Sequence, residues 1–187
     1  MLGMDFRVIV SECDETVAGD PSPDMLVREL AMRKAQAVAD TLPSEHDTIV
    51  IGADTVVWDG IRALGKPRDA ADAKTTILSL AGRAHSVFTG IALVGIIGGE
   101  KKCVADAVET KVVFGDISDA EAEHYAKSGE PDDKAGSYAV QGLGGIFVTE
   151  LHGDYYNVVG LPLAALRTLL SREFGLDTVD YVGKRGI

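Results

Sequence analysis

The sequence predicts an α/β protein in which a mixed, twisted sheet is flanked by helices. Three observations favour this class. Apolar runs of strand length alternate with segments of helical periodicity, capping residues and turn-forming glycines separate them, and the 46% apolar content is enough to bury a core. The 187 residues contain no internal repeat, low-complexity tract or linker, so we expect one domain with a loosely ordered tail after about residue 177.

The first elements follow from hydrophobic periodicity and capping. Residues 6–10 alternate between apolar and polar positions, which predicts a strand. A long helix is expected to begin at Pro23, behind Ser22 as its N-cap, and to run to about Leu42. Residues 48–53 are apolar on both faces, which indicates a central strand covered by helices on each side.

The middle of the chain predicts a helix and a hairpin. The helix covers residues 69–81, with its first aspartate as the N-cap and Gly82 just beyond its end, where a left-handed conformation is favourable for glycine. Two β-rich stretches, residues 84–94 and 103–114, are separated by the glycine pair at 98–99. This arrangement is typical of a β-hairpin.

The C-terminal third begins with a capping box and ends with a helix. The box starts a helix over residues 118–128. Residues 132–145 carry four glycines and little periodicity, and a stretch of this length without regular structure is often functional. Strands are expected near residues 146–150 and 156–159, followed by a final helix over 162–174.

Charge and cysteine content narrow the class of function. The net charge of −11 gives no general attraction to nucleic acid or to an anionic membrane, so neither is an expected partner. Cys13 and Cys103 lie far apart, without metal or redox spacing, which favours reduced thiols inside the cell. We find no apolar run of membrane-spanning length and no signal peptide, so we expect a soluble, cytoplasmic protein.

Two positions are unusual enough to suggest a site. Lys34 lies in the middle of an apolar helix face, where it must extend to solvent, pair with a carboxylate, or point into a cleft that holds an anion. Asp54 and Thr55 directly follow the predicted central strand, and the carboxyl ends of such strands often border a ligand crevice. The alternative for Asp54 is an ordinary turn aspartate satisfied by backbone amides.

Other polar positions have both a functional and a structural interpretation. Lys66 precedes a helix N-terminus, which suits a phosphate but also suits a solvated turn. Glu12, Asp14 and Glu15 supply the hard oxygen ligands that Mg²⁺ prefers, or form a solvated acidic loop. Gln141 has the donor and acceptor needed to pair with a base edge, or belongs to a tight polar turn. The histidines show no zinc spacing, and we see no motif for a covalent nucleophile.

Four strings together resemble the Maf family of nucleotide pyrophosphatases: GADTVV at 52–57, GKPRD at 65–69, EPDDKAGSYAVQG at 130–142 and VGLP at 159–162. The AGSYxxQG form is similar to the branch that acts on dTTP and UTP. The resemblance implies a Maf/ITPase-like fold with two lobes around a central cleft. It also implies metal-assisted water attack on a nucleoside triphosphate, releasing the monophosphate and pyrophosphate, with Mg²⁺ or Mn²⁺ as cofactor, modified pyrimidine nucleotides as further substrates, and a homodimer.

The resemblance also implies roles for individual residues. Asp54 matches the catalytic aspartate, either as the group that orients or deprotonates water or as a metal ligand. Lys34 and Lys66 match the phosphate-binding lysines. Glu15 matches an acidic residue of the same site, where it contacts substrate and joins Asp54 as a metal ligand.

Two further residues, Thr55 and Gln141, match positions linked to substrate choice. The family pattern opens with a strand and a Ser-x-Ser-Pro-Arg-Arg loop that these 187 residues lack, so we expect the native start to lie upstream. Arginines contact phosphate in a bidentate way that lysines do not reproduce. Two alternatives therefore stay open: a nucleotide- or protein-binding module of the same fold with weak turnover, and a purine-specific pyrophosphatase.

Overall fold

A computed structural model describes residues 6–43 and 47–178. In these residues five strands form one sheet in the order β2-β1-β3-β4-β5, and every pairing is antiparallel. The strands are β1 (Thr48–Trp58), β2 (Ala63–Leu64), β3 (Ala84–Ile97), β4 (Glu100–Phe114) and β5 (Val148–His152). The helices are α1 (Pro23–Ala39), α2 (Ala70–Leu80), α3 (Asp119–Ala126), α4 (Tyr155–Val159) and α5 (Leu163–Phe174).

The α/β class is confirmed, but the expectation of a mixed sheet is wrong for the described strands. Consecutive strands joined by a tight turn must pair antiparallel, and β3 and β4 are joined through Gly98 and Gly99 alone. Both glycines have positive φ, +58° and +82°, as a two-residue hairpin turn requires. The predicted hairpin is therefore confirmed, with longer strands than the sequence pattern indicates.

The predicted caps are also where the sequence places them. α1 begins at Pro23 after Ser22 but ends at Ala39, three residues before the predicted end. The Asp69 carboxylate accepts a hydrogen bond of 2.8 Å from the Asp72 amide at the start of α2. Ser118 and Glu121 form the capping box of α3. These features are local, which is why the sequence pattern predicts them well.

The predicted strand at residues 6–10 is wrong. The segment has no regular structure, and Phe6, Val8 and Val10 are each more than 80% exposed. An alternating sequence is suited to a strand with one buried face. A strand is stable, however, only when it pairs with a neighbouring strand. No described strand pairs with this segment.

The predicted strand at residues 156–159 is wrong as well, because this stretch forms α4. The Asp154 carboxylate caps the helix by accepting a 2.8 Å hydrogen bond from the Tyr156 amide. Asn157 is fully buried, and its side-chain amide donates to the Val87 carbonyl (2.9 Å) and the Thr110 hydroxyl (3.0 Å). These contacts with the sheet outweigh the β propensity of the two valines.

Three apolar clusters pack against the sheet. α1 covers one face of the sheet, where its Ala31, Ala35 and Ala39 pack against Ala92 and Val94 of β3. The opposite face carries one cluster with α2 and α3 and another with α5. None of the described helices combines the length and apolar character needed to cross a membrane. Nearly all of the predicted loose tail, residues 179–187, lies outside the described residues.

A buried histidine lies within the larger cluster. His85 is 4% exposed and packs edge-on against Phe114 and Tyr138, with its Nε2 atom 2.8 Å from the Tyr138 hydroxyl. Burial opposes the charged imidazolium, and Arg83 adds repulsion, so the pKa of His85 falls to about 4. The imidazole is therefore neutral in the folded protein at physiological pH.

This histidine predicts a loss of stability in acid. An unfolded histidine takes up a proton below its ordinary pKa of about 6.5, so between about pH 6.5 and 4 the unfolded state binds more protons than the folded state. The free energy of unfolding should fall by up to about 3 kcal/mol across that window. We expect His85→Gln to remove this part of the pH dependence in urea titrations, while the exposed control His152→Gln keeps it. Parallel losses in both variants would contradict the prediction.

Candidate active site

Two glycines bring α1 unusually close to the sheet. A Cβ atom added at Gly52 of β1 would lie 2.3 Å from the Ala31 carbonyl oxygen, and one added at Gly90 of β3 would lie 2.0 Å from that of Val27. Gly90 is the cross-strand partner of Asp54. The helix backbone therefore rests directly on the strands beside Asp54, and only glycine leaves room for it there.

This close packing places Lys34 of α1 against Asp54 of β1. The Lys34 Nζ atom lies 2.6 Å from Asp54 Oδ1 and 3.1 Å from Glu15 Oε1. The Asp54 side chain is 10% exposed, that of Lys34 is 22% exposed, and that of Glu15 is 59% exposed. The lysine that the sequence places on an apolar face is thus accounted for by pairing with two carboxylates, one of them nearly buried.

Burial raises the pKa of the Asp54 carboxyl above its ordinary value. The hydrogen bond and charge of Lys34, and the charge of Lys66, favour ionisation, but burial and the charge of Glu15 outweigh them. For Lys34 burial opposes the ammonium, yet its hydrogen bonds with Asp54 and Glu15 prevail, so its pKa is raised. Lys34 therefore stays charged beside a carboxyl group whose ionisation is opposed by burial.

An arginine that the sequence analysis does not single out holds Glu15 in this cluster. Arg33 donates through Nη1 to the Asp14 carbonyl (3.1 Å) and the Thr16 carbonyl (2.7 Å), on either side of Glu15. The Asp14 carboxylate does not take part in this cluster, because it accepts a hydrogen bond from the Thr16 amide and closes a turn. Of the three acidic residues predicted as ligands, only Glu15 contacts Lys34.

A cavity of about 310 Å³ lies on the other face of β1. Three of the predicted site residues, Thr55, Lys66 and Gln141, line it. The Thr55 hydroxyl is 2.9 Å from the Thr89 hydroxyl, which itself donates to the Asn157 carbonyl at 2.8 Å. Thr55 on the cavity wall is thus held by Thr89, a buried neighbour that is itself anchored to α4.

The predicted position of Asp54 at the end of a strand is wrong. β1 continues to Trp58 because β3 pairs with it along its whole length, so Asp54 and Thr55 are consecutive residues in mid-strand. Consecutive strand residues point to opposite faces, which separates the predicted site into an Asp54 group and a Thr55 group. In the described part of the chain, β2 pairs only with Val57 and Trp58, so residues 49–56 leave an open strand edge between the two groups.

Lys66 lies beside this open edge. It lies two residues after the end of β2, is exposed, and forms no ion pair within the described residues. It nevertheless lines the cavity and lowers the pKa of Asp54 on the opposite face, so its charge acts on both groups. An anion that passes over the edge of β1 would meet this cation.

The carboxylates of Asp54 and Glu15 are hard oxygen donors of the kind that Mg²⁺ and Mn²⁺ prefer. No group of three or more His, Cys, Asp or Glu side chains suited to a metal occurs within residues 6–43 and 47–178. A divalent cation here would need further ligands from water and substrate phosphates, which is the usual arrangement for Mg²⁺. The donor chemistry therefore fits a metal that binds together with a phosphorylated substrate.

Comparison with known proteins gives consistent matches. The profile of the Maf-like protein family matches residues 1–173. A Bacillus cytotoxicus protein named dTTP/UTP pyrophosphatase is 47% identical over 161 residues, 86% of this chain and 81% of that protein. A Bacillus cereus AH820 protein of the same name is 43% identical over 177 residues, 95% of this chain and 88% of its own. These matches agree with the resemblance carried by the four motifs.

Proposed function

Because the chain belongs to the Maf-like protein family, we propose that it is a nucleoside triphosphate pyrophosphatase that hydrolyses dTTP and UTP to the monophosphate and pyrophosphate. One structural observation carries the proposal. A lysine-bound carboxylate with a raised pKa, Asp54, directly precedes Thr55, which lines a cavity of about 310 Å³. An ion-paired carboxylate and a ligand-sized cavity thus meet at one strand, which supports the proposal.

In this proposal, different parts of the substrate bind on the two sides of β1. We place the pyrimidine in the cavity, against Thr55 and Gln141, and the phosphates at the open strand edge, where Lys66 is free to offset their charge. The α-phosphorus then lies toward Asp54, which orients or deprotonates the attacking water. The bond between the α-phosphorus and its bridging oxygen breaks, and pyrophosphate leaves.

The net charge of the cluster formed by Asp54, Glu15 and Lys34 supports the binding of a divalent cation. Two carboxylates and one ammonium have a net charge of −1, which by itself repels a triphosphate. We propose that Asp54 and Glu15 hold Mg²⁺ or Mn²⁺, which would reverse the sign of this charge. When bound, the ion supplies Lewis-acid stabilisation of the phosphate oxygens. Whether Asp54 acts as base or as metal ligand, it has to be ionised.

A product assay tests the proposed function. We expect incubation with Mg²⁺ or Mn²⁺ to release pyrophosphate, without orthophosphate, from dTTP and UTP and much less from CTP, GTP or ATP. The cause is the pairing of Gln141 with the N3–H and O4 groups that uracil and thymine share. Chelation with EDTA should abolish turnover, and calorimetry of Mn²⁺ binding should show weaker binding to Glu15→Gln than to the unaltered protein.

Other outcomes of this assay would support one of the alternative functions or contradict the proposed reaction. Turnover of GTP or ATP above dTTP and UTP would indicate a purine-specific enzyme, and nucleotide binding without pyrophosphate release would indicate a binding module. Release of orthophosphate would contradict attack at the α-phosphorus. A cytoplasmic location and a homodimer remain predictions that accompany this function.

A further inference from the structure

The loop that carries Gln141 is closed by a single carboxylate. Glu130 accepts hydrogen bonds of 2.8 Å from the Leu143 amide through Oε1 and from the Gly144 amide through Oε2. Residues at the two ends of the loop are therefore joined through one side chain. A Cβ atom at Gly142 would lie 2.1 Å from Glu130 Oε1, so any larger residue here would push this carboxylate away from the loop amides.

A tyrosine extends the same network to the other side of the loop. The Tyr125 hydroxyl donates to Glu130 Oε2 at 2.8 Å and accepts a 3.2 Å hydrogen bond from the Ala139 amide. Tyr125 is only 4% exposed and packs edge-on against Phe147. Its hydroxyl is thus fixed by the core of the protein rather than by the loop.

Gln141 lies between the two anchored points. Ala139, two residues before it, is held by Tyr125, and Leu143, two residues after it, is held by Glu130. Between them Ala139, Val140 and Gln141 line the cavity. Gln141 itself is exposed, so the packing of its side chain does not fix its position. The backbone arch that carries it is set by the Tyr125–Glu130 pair.

We propose that Glu130 and Tyr125 are positioning residues that set the preference for uracil and thymine by holding the arch around Gln141. The inference rests on the proposed function, in which Gln141 contacts the base. A glutamine amide distinguishes uracil from cytosine only when its donor and acceptor face the correct edge, because the two bases exchange donor and acceptor at that edge. An arch that is free to move loses this discrimination.

The test compares Glu130→Gln with the unaltered protein. A glutamine at 130 has one acceptor and one donor group, so it leaves at least one of the two loop amides without its acceptor. We expect the KM for UTP to rise about tenfold, kcat to change less than about twofold, and the UTP-to-CTP ratio of kcat/KM to fall about tenfold. Tyr125→Phe removes one hydroxyl and should act in the same direction.

A matched control and a double-variant cycle separate positioning from a general loss of stability. Glu121→Gln makes the same substitution at a carboxylate that also accepts from a backbone amide, that of Ser118, but lies outside the loop. It should leave the UTP-to-CTP ratio unchanged. In a Gln141→Ala background, Glu130→Gln should have little further effect on that ratio, because the group it positions is gone.

Three results would overturn the inference: an unchanged ratio in Glu130→Gln and Tyr125→Phe, an equal fall in kcat for every nucleotide, or an undiminished effect in the Gln141→Ala background. The proposed function is judged separately, by pyrophosphate release from the unaltered protein. If that protein binds nucleotides without turnover, the same ratios are taken from the Kd values of non-hydrolysable UTP and CTP analogues.

Discussion

Asp54→Asn is expected to lower kcat/KM for dTTP and UTP by about 10³-fold or more while the fold is retained. Asparagine keeps the shape and one oxygen of the carboxylate but has neither its charge nor its capacity to accept a proton. It therefore fails as a base, and as a metal ligand it offers only a neutral oxygen that binds a divalent cation more weakly. Pyrophosphate release under saturating Mg²⁺ measures the loss.

The structure also predicts the stability of this variant. Burial raises the pKa of Asp54, so the ionised carboxylate is held in a place that does not favour its charge. Lys34 is not left unpaired in the variant, because Glu15 remains 3.1 Å from its ammonium. We expect Tm to change by only a few degrees, or to rise, because the variant no longer holds an ionisable group where burial opposes its charge.

A suitable control is Asp106→Asn, which alters another aspartate paired across α1 and the sheet. Its Oδ1 atom is 3.4 Å from Arg28 Nη2, and its side chain is 45% exposed. Exposed pairs contribute little, so activity and Tm should both stay near the unaltered values. An Asp54→Asn protein that keeps a tenth or more of the activity would overturn the assignment of Asp54.

The accuracy of the fold predictions depended on how local each determinant is. The caps at Asp69 and Ser118 and the glycine turn at 98–99 satisfy backbone groups within a few residues, so the sequence pattern was sufficient. Residues 6–10 and 156–159 also had the composition of strands. Their structures depend on partners distant in sequence. Among the described strands none pairs with residues 6–10, and Asn157 ties residues 156–159 to the sheet as a helix.

The predictions for the site also depended on whether the determinants are local or distant in sequence. The apolar surroundings of Lys34 indicated from the sequence that it needs a partner, and the structure provides Asp54, twenty residues away. The placement of Thr55 on the opposite face from Asp54 follows from the length of β1, which the apolar run at 48–53 underestimates. Glu130 was missed, although a glycine-rich loop without regular structure has amides that need acceptors, and an acidic residue at its start is a candidate.

Lys34→Met is expected to lower kcat/KM by about 10²-fold and to move the acid limb of its pH profile to higher pH. Methionine keeps an unbranched apolar stem against the helix face but removes the ammonium. The hydrogen bond and charge of Lys34 are the main influences that lower the pKa of Asp54 against its burial. Without them that pKa rises further above the ordinary aspartate value of about 3.9.

The direction of the shift follows from the ionised state that Asp54 must adopt. Activity is lost as pH falls through the pKa of Asp54, so a higher pKa means that the loss begins at a higher pH. Rates measured between pH 4.5 and 9 under saturating metal locate the limb in each protein. Lys101→Met is the matched control, since it removes a lysine paired with Asp40 at 2.7 Å, away from Asp54.

The control should keep both the rate and the acid limb of the unaltered protein. A Lys34→Met variant with a reduced rate and an unmoved acid limb would show that Lys34 acts on the phosphates alone. The ionisation of Asp54 would then be governed by other charges, of which Lys66 is the cation that also lowers its pKa. A shift toward lower pH would contradict the pairing of Lys34 with Asp54 during turnover, because losing a neighbouring ammonium makes a carboxylate harder to ionise.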